Sequence, residues 1–477
     1  MIHYTGNKAE NIKIAYIGGG SRGWAWGFMS DLAMQKDISG EVVLYDIDAD
    51  AARANEAIGN RIPESEKDCA VWRYRTAQTI DEALEDADFV IISILPGTFH
   101  EMESDVHTPE KYGIYQSVGD TTGPGGILRA LRAIPMFEHI AHAIAGNCPE
   151  AWVINYTNPM SVLMRTLYRV FPRIKAFGCC HEVFGTQNFL ASVVREELGG
   201  EVSREDIKVN VVGVNHFTWL TEARYRGEDL YPVYRKFCRT HAKTGYIRER
   251  DNTKLDDYFK SCERVKMDLF LRYGVIAAAG DRHLAEFVPG KWYLKDPQTV
   301  EEWKFKLTPV SYRFADLEKR MARSARLRSG DERFTFAPTG EEGVRQIRAL
   351  LGLDEFVTNV NLPNFGQIPN LPRGVIVETN AHFRAGTVRP VFAGEIPESI
   401  YPLVAPIVGE QELVVEAALS HDLNKAFRAF VSDALVTIGM DEAKSLFGEM
   451  CENTKDYLRM YGVQGDAALE HPRFVQE

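Results

Sequence analysis

Ile14-Ala15-Tyr16-Ile17-Gly18-Gly19-Gly20-Ser21-Arg22-Gly23 is the stretch on which the reading of this chain turns. The apolar run Lys13 to Ile17 predicts a first strand, and the segment after Gly23 has the apolar content of a helix. Between them Gly18, Gly20 and Gly23 match G-x-G-x-x-G in the strand–turn–helix context that gives the pattern meaning. Glycines permit a tight turn and close backbone approach, while the helix N-terminus faces the pyrophosphate of a dinucleotide. A second strand, Glu41 to Tyr45, ends in Asp46, placed to accept a hydrogen bond from a ribose 2′-hydroxyl. A carboxylate there repels a 2′-phosphate, so NAD is expected over NADP. Ser21 and Arg22 lie inside the turn, where Arg22 can meet phosphate, and Pro96-Gly97 fits a loop passing close to the dinucleotide. A glycine-rich turn without a ligand is the plain alternative.

Outward from this turn the chain alternates strands and helices. Helices are expected over Ala51 to Arg61, Ile127 to Ala145 and Met160 to Val170. Strands are expected over Asp88 to Leu95, Trp152 to Tyr156 and Ile174 to Cys179. Repeated βα units imply right-handed crossovers and a doubly wound parallel sheet, an α/β fold of Rossmann type. From about Val209 the pattern changes. Val209 to Tyr225 reads as long, partly alternating strand structure, residues 226 to 330 as amphipathic and charged with helical spacing, and Ala322 to Glu332 as an exposed connector. Gly374 to Val391 reads as paired strands and Pro406 to Met460 as helices. The expected division is a NAD-binding domain over 11–205 and an α+β domain over 206–477 for substrate, metal and oligomer contacts.

Composition narrows the class. A chain of 477 residues, 45% hydrophobic and 26% charged, is ordinary for a globular protein of two domains or one large α/β body. No stretch of about 18 uninterrupted apolar residues indicates a membrane span, and the polar start lacks a signal-peptide core. Seven cysteines, an odd and sparse set, argue for a reducing cytoplasm rather than a disulfide framework. A formal charge of −12 discourages a nucleic-acid partner, which needs clustered Lys and Arg.

A second chemical outfit sits further along: Cys180 in Cys179-Cys180-His181-Glu182-Val183, and His216 in Gly213-Val214-Asn215-His216-Phe217. Adjacent cysteines on a strand point to opposite faces, so at most one of Cys179 and Cys180 faces a site. A lone buried cysteine is usually a small core residue, and a histidine after an apolar strand is usually structural. Taken with the nucleotide turn, however, the pair suggests a hydride acceptor working beside a divalent metal that polarises oxygen. Two protein ligands suit a metal whose shell is completed by substrate oxygens.

These residues together resemble glycoside hydrolase family 4, the NAD- and divalent-metal-dependent glycosidases. The similarity covers most of the chain. It includes the GGGS turn, Gly119-Asp120-Thr121-Thr122-Gly123-Pro124-Gly125-Gly126 with Arg129 and Arg132, and Asn155-Tyr156-Thr157-Asn158-Pro159-Met160. It continues through Cys180-His181, Asn215-His216, Asn364 to Pro372 and Glu378. The resemblance implies a lactate/malate dehydrogenase-like fold, with Mn²⁺ held by Cys180 and His216 and sugar hydroxyls touched by Asn158. Cys180-His181-Glu182-Val183 resembles the signature of members acting on α-galacturonides, where phosphoglycosidases carry Asp or Asn after the cysteine. An α-galacturonidase is therefore expected, with α-glucuronidase and α-galactosidase as near alternatives and a sugar-acid oligosaccharide as substrate. The implied chemistry is oxidation at C3, metal-assisted deprotonation at C2 and elimination at C1, with NAD regenerated at each turnover. Asp281 is the expected base, with Tyr273 as its rival and a helix-capping role for Asp281 as the bland alternative. His181 is expected to polarise the leaving oxygen, with Glu182 and His283 in the same shell. Arg129, Arg282 and Lys291 are candidates for a substrate carboxylate. Family members assemble as homodimers or homotetramers.

Two other readings share part of the pattern. A plain NAD-dependent hydroxyacid dehydrogenase would share the fold but need no metal, and it would accumulate NADH. A silent NAD-binding regulator would tolerate loss of Cys180 and His216.

Overall fold

Runs of Val, Ile and Ala too apolar to face water on either side make the central strands. The computed structural model, which describes residues 2–65, 68–247, 258–259 and 261–463, joins them in one large sheet. Its first strands are β1 (His3–Tyr4), β2 (Ala9–Ile17), β3 (Ile38–Tyr45), β4 (Trp72–Thr76), β5 (Phe89–Ile92), β6 (Trp152–Asn155) and β7 (Lys175–Gly178). From β2 to β7 these run parallel in the order β4-β3-β2-β5-β6-β7, the order of the doubly wound dinucleotide fold. Alternate side chains supply two cores. Ala15, Ile17, Val90, Ile92 and Val153 pack with the helix Gly123–Asn147, while Ile14, Tyr16, Phe89, Ile91 and Ile154 pack with the helix Trp24–Ala33. Site loops therefore gather where β2, β5, β6 and β7 end.

A smaller sheet follows, of β8 (Ile207–Val214), β9 (Phe217–Tyr225), β10 (Glu228–Asp229) and β11 (Ile276–Ala277), with β9 at its centre. The stretch expected as long, partly alternating strand structure from Val209 to Tyr225 is a hairpin, turning at the two residues Asn215 and His216. Neither residue of the break is a glycine or proline, which is why the sequence reads through it.

The chain then returns to the first sheet. β12 (Phe356–Pro363), β13 (Ile376–Arg384) and β14 (Thr387–Pro390) add to it antiparallel, with Asn361 of β12 opposite Gly178 of β7. Helices Tyr401–Leu419, Leu423–Ser432 and Met440–Asn453 share a core with the helix Gly123–Asn147. The exposed connector expected over Ala322 to Glu332 is a correction: the helix Val310–Ser329 runs through most of it, with Ser324 and Leu327 buried. Its Ala, Arg and Leu are strong helix formers, so propensity overrides the charge that suggested a loop. Among the described residues no helix is long and apolar enough to cross a membrane.

Candidate active site

The glycine turn is held from beneath. Gly18 has φ +93°, and a Cβ on it would collide with the Ser93 carbonyl at the end of β5. A Cβ on Gly20 would press on Ala51 and Asp46. Asp46 Oδ2 accepts the Gly20 N–H at 2.8 Å and Oδ1 accepts the Asp48 N–H at 2.9 Å, so this carboxylate shapes the turn as well as facing the ribose position. Burial, opposed by these N–H groups, raises its pKa above the ordinary value. Asn55 completes the support, a role no sequence motif signals. Its Nδ2 donates to the carbonyls of Gly19 (2.7 Å) and Ser21 (3.0 Å), and its Oδ1 accepts Trp26 Nε1 at 2.8 Å. Gly23 lies under Arg320, which donates to the Arg22 carbonyl at 3.1 Å; a side chain on Gly23 would displace it. Arg22 has a buried, unpartnered Nε and lies 3.9 Å from Asp48. Pro96 and Gly97 (φ +92°) carry the chain away from β5. A bare turn ending at a helix N-terminus, with Arg320 beside it, fits a pyrophosphate.

Cys180 follows β7 and is buried. The Glu182 N–H and the Asn215 side chain bond its sulfur, yet burial, then Glu378 and Glu182, push the thiol well up. A divalent cation held there would favour the thiolate instead. His216 occupies the β8–β9 turn with φ 63°, a left-handed conformation uncommon for a non-glycine residue and frequent at functional sites. Its Nδ1 lies 2.9 Å from Thr121 Oγ1, and Thr121 in turn donates to Asp120 Oδ1 at 2.7 Å. With the hydroxyl proton spent on Asp120, Nδ1 must carry hydrogen and Nε2 keeps its lone pair, the arrangement a metal-binding imidazole requires. Burial and the neighbouring His283 lower the His216 pKa to about 3, so the ring is neutral. Among the described residues no three His, Cys, Asp or Glu side chains gather as a metal cage.

Around the pair stand the other expected residues. The His283 ring lies 3.8 Å from that of His216, its Nε2 is 3.6 Å from Glu182 Oε1, and its Nδ1 is buried without a partner. Glu182 Oε2 accepts the Gly280 N–H at 2.7 Å. Burial would raise Glu182, but His283, His216 and His181 outweigh it and hold its pKa at about 2. His181 is half exposed on the nucleotide side, with Nδ1 2.8 Å from Glu341 Oε1, a contact that raises the imidazole to about 9. There it borders a cavity of about 360 Å³ lined by Tyr16, Gly23, Trp24, Tyr156, Arg320 and Glu341. Arg129 is buried and its Nε donates to the Asn158 carbonyl at 3.0 Å. Burial pushes Asp120 up, but Arg129, then His216 and His283, draw it down to about 2. Asn158, ahead of the cis peptide to Pro159, has a buried Oδ1 without a partner, as suits a group awaiting a sugar hydroxyl.

Asp281 is not brought to this cluster. Gly280, not Asp281, holds the cap position of the short helix Asp281–Leu284. The Asp281 carboxylate turns to the start of the helix Arg264–Tyr273, where Oδ1 accepts the Lys266 N–H at 3.0 Å. Burial, then Glu263, raises it to about 7. Its rival Tyr273 packs edge-on to Trp219 with ring centroids 6.5 Å apart. Lys291 is exposed, and Arg282 is buried with Nη2 donating to the Ser117 carbonyl at 2.7 Å. A buried carboxylate–amide network backs the metal pair. Glu378 on β13 accepts from Asn215 (3.2 Å) and Asn359 (2.7 Å), and Asn359 also reaches the Cys180 carbonyl at 3.4 Å. Burial raises Glu378 to about 7. Asn359 and His283's pairing with Glu182 lie far apart in sequence, and no motif connects them.

Comparison with known proteins identifies the family. A family model described as family 4 glycosyl hydrolase matches residues 13–196, and that of the family 4 glycosyl hydrolase C-terminal domain matches residues 211–436. The chain belongs to the family 4 glycosyl hydrolases. It is 60% identical over 458 residues to the alpha-galacturonidase of Thermoanaerobacterium saccharolyticum, covering 96% of this chain and 98% of that one. It is 53% identical over 444 residues to that of Bacillus subtilis, covering 93% and 97%. The solved structure of the Bacillus subtilis protein lplD superposes with a TM-score of 0.88 at 52% identity, covering 92% of this family 4 chain and 100% of that one. A 6-phospho-alpha-glucosidase from gut microorganisms, solved with NAD and Mn²⁺, shares the fold at a TM-score of 0.77 and 23% identity, covering 94% and 99%.

Proposed function

We propose that this family 4 hydrolase cleaves α-galacturonides, using NAD and a divalent metal, Mn²⁺ for preference. The observation that carries the reading is the Cys180–His216 pair, with His216 fixed in its Nδ1–H form by Thr121 and Asp120, and with Arg129 bonded to the Asn158 carbonyl. Similarity to alpha-galacturonidases over nearly the whole chain supports the substrate, against 28% identity to the alpha-galactosidase of Bacillus subtilis.

NAD, when bound along Gly18–Gly23 and Asp46, supplies a reversible hydride acceptor for C3 of the sugar, and the metal at Cys180 and His216 a Lewis acid for its oxygens. The remaining work falls to side chains. Asn158 Oδ1 accepts a sugar hydroxyl and Arg129 fixes that loop. Since Asp281 faces another helix, His283 is the better-placed proton carrier: oriented by Glu182 and lying against His216, it takes the C2 proton. His181, kept protonated by Glu341, gives a proton to the leaving oxygen as the C1–O bond breaks. Water then adds at C1, the proton transfers reverse and the hydride returns to C3, so no net oxidation remains. The same reading places the enzyme in the cytoplasm as a homodimer or homotetramer. Sedimentation checks the assembly.

Reduced protein incubated with α-1,4-digalacturonate should release galacturonate only when both NAD⁺ and Mn²⁺ are present. Release from neutral α-galactosides alone would keep the mechanism and move the substrate. Accumulation of NADH on a hydroxy acid, with no glycoside cleaved, would replace the reading with a dehydrogenase.

A further inference from the structure

Two segments far apart in the chain, residues 117–119 and 282–286, are joined by four hydrogen bonds of 3.0 Å or less. Glu286 is fully buried, and its Oε1 accepts both the Val118 N–H at 2.7 Å and the Gly119 N–H at 3.0 Å. One carbonyl-type oxygen has the two lone pairs this needs. The Ser117 hydroxyl donates to the Arg282 carbonyl at 2.5 Å, and Arg282 Nη2 donates to the Ser117 carbonyl at 2.7 Å. Within the second segment the Glu286 N–H donates to the His283 carbonyl at 2.9 Å, so carboxyl and imidazole belong to one hydrogen-bonded turn.

Each segment carries a group that faces His216. The first runs directly into Asp120 and Thr121, and Thr121 Oγ1 lies 2.9 Å from His216 Nδ1. The second carries His283, whose ring lies 3.8 Å from that of His216. The two imidazoles are therefore set from the two sides of one bracket. Gly119 gives the bracket little play: its φ is +69°, and a Cβ there would meet Val106 at 2.9 Å. Burial pushes Glu286 up to about 8 against the Val118 and Gly119 donors, so at neutral pH it is mostly the neutral acid. Its Oε1 then accepts as an amide oxygen would. Stability alone would explain a buried acceptor, but not that both segments it joins end at the same histidine.

We propose that Glu286 is a positioning residue for the reaction: by holding Val118 and Gly119 it fixes the separation of His283 from His216, and so the geometry of proton transfer beside the metal. It acts through those two histidines, and for their roles the proposal rests on the galacturonidase reading.

The test reads Mn²⁺ affinity by calorimetry, NADH affinity by fluorescence, and steady-state cleavage of α-1,4-digalacturonate, all in the whole chain. Glu286→Leu keeps the bulk and removes the acceptor, leaving two buried N–H groups unanswered. Its kcat should fall about 100-fold, the effect of a misplacement of about 1 Å at reacting groups, while KM holds. Mn²⁺ affinity should fall about 10-fold, as loss of support behind a metal-binding imidazole does, while NADH affinity holds. Glu286→Gln keeps the accepting oxygen and should recover most of both losses. Phe447→Leu, a buried change in the helix Met440–Asn453, loosens the fold without touching the bracket and should spare kcat and Mn²⁺ affinity. An unaltered kcat in Glu286→Leu, an equal loss in Glu286→Gln or Phe447→Leu, or a parallel loss of NADH affinity overturns the proposal and leaves the galacturonidase intact. If Glu286→Leu fails to fold, as circular dichroism would show, Ser117→Ala decides. It removes one bond of the bracket and should lower kcat with NADH affinity kept; no change overturns the proposal. A wild-type chain that neither binds Mn²⁺ nor cleaves the uronide overturns the galacturonidase reading, and the positioning role of Glu286 with it.

Discussion

Two hydrogen bonds decide which nitrogen of His216 is free. Thr121→Val removes the acceptor for Nδ1–H and leaves the ring to choose its tautomer, so Mn²⁺ affinity should fall about 10- to 100-fold while NADH affinity holds. Calorimetry with Mn²⁺ and NADH fluorescence read the two separately. Asn55→Ala strips partners from the Gly19 and Ser21 carbonyls and from Trp26 Nε1, at a cost of about 1–3 kcal/mol, and should weaken NADH binding in step. Glu286 gives a pH signature. Its folded pKa of about 8 lies above that of an unfolded glutamate, so the native state holds a proton the unfolded chain releases. Its stabilising share is full below the unfolded value of about 4.3 and is lost as pH rises toward 8. Glu286→Gln should flatten the decline of unfolding free energy between pH 5 and 8 by up to about 1.4 kcal/mol per pH unit. Identical slopes in urea titrations would count against a protonated Glu286. At this scale sequence exposes ligand types, as with Cys180 and His216, but not the groups that tune them. Thr121, Asn55 and Asn359 are ordinary residues until the fold brings them together.

Among elements, the β8–β9 hairpin carries the site. Its turn puts His216 in a left-handed conformation, and Gly213 just before it has φ 126° with the Phe217 carbonyl against its open face. Gly213→Ala strains that backbone, and its first effect should be on Mn²⁺ affinity, with secondary structure by circular dichroism unchanged. The parallel strands β2, β5, β6 and β7 were legible because both faces are buried and the residues are uniformly apolar. The connector that proved helical was misread because its arginines suggest solvent while its backbone preference is for helix. β12 escapes notice for an opposite reason. Asn359 and Asn361 break its apolar pattern, and their burial is matched by partners that no local pattern announces: Glu378 and the Cys180 carbonyl for Asn359, and Met160 for Asn361.

On the scale of the whole molecule, the buried pair Arg132–Asp105 ties the helix Phe99–His107 to the helix Gly123–Asn147, with guanidinium nitrogens 2.9 and 2.5 Å from the carboxylate. Asp105→Ala leaves a buried uncompensated cation and should cost about 3–5 kcal/mol in denaturant unfolding, with a loss near zero arguing that water replaces the acid. The βα repeat announced the doubly wound half, but sequence gives no sign that strands after residue 350 return to it. That return has a mechanical meaning. β12 lies along β7, and β13 is stitched to β8 by Asn380 donating to the Val209 carbonyl at 2.7 Å, so backbone crosses between the halves of the chain. Opening two jaws on a hinge would part β12 from β7 beside Cys180. A frame so joined should keep its shape, and small-angle scattering should record one radius of gyration with and without ligands.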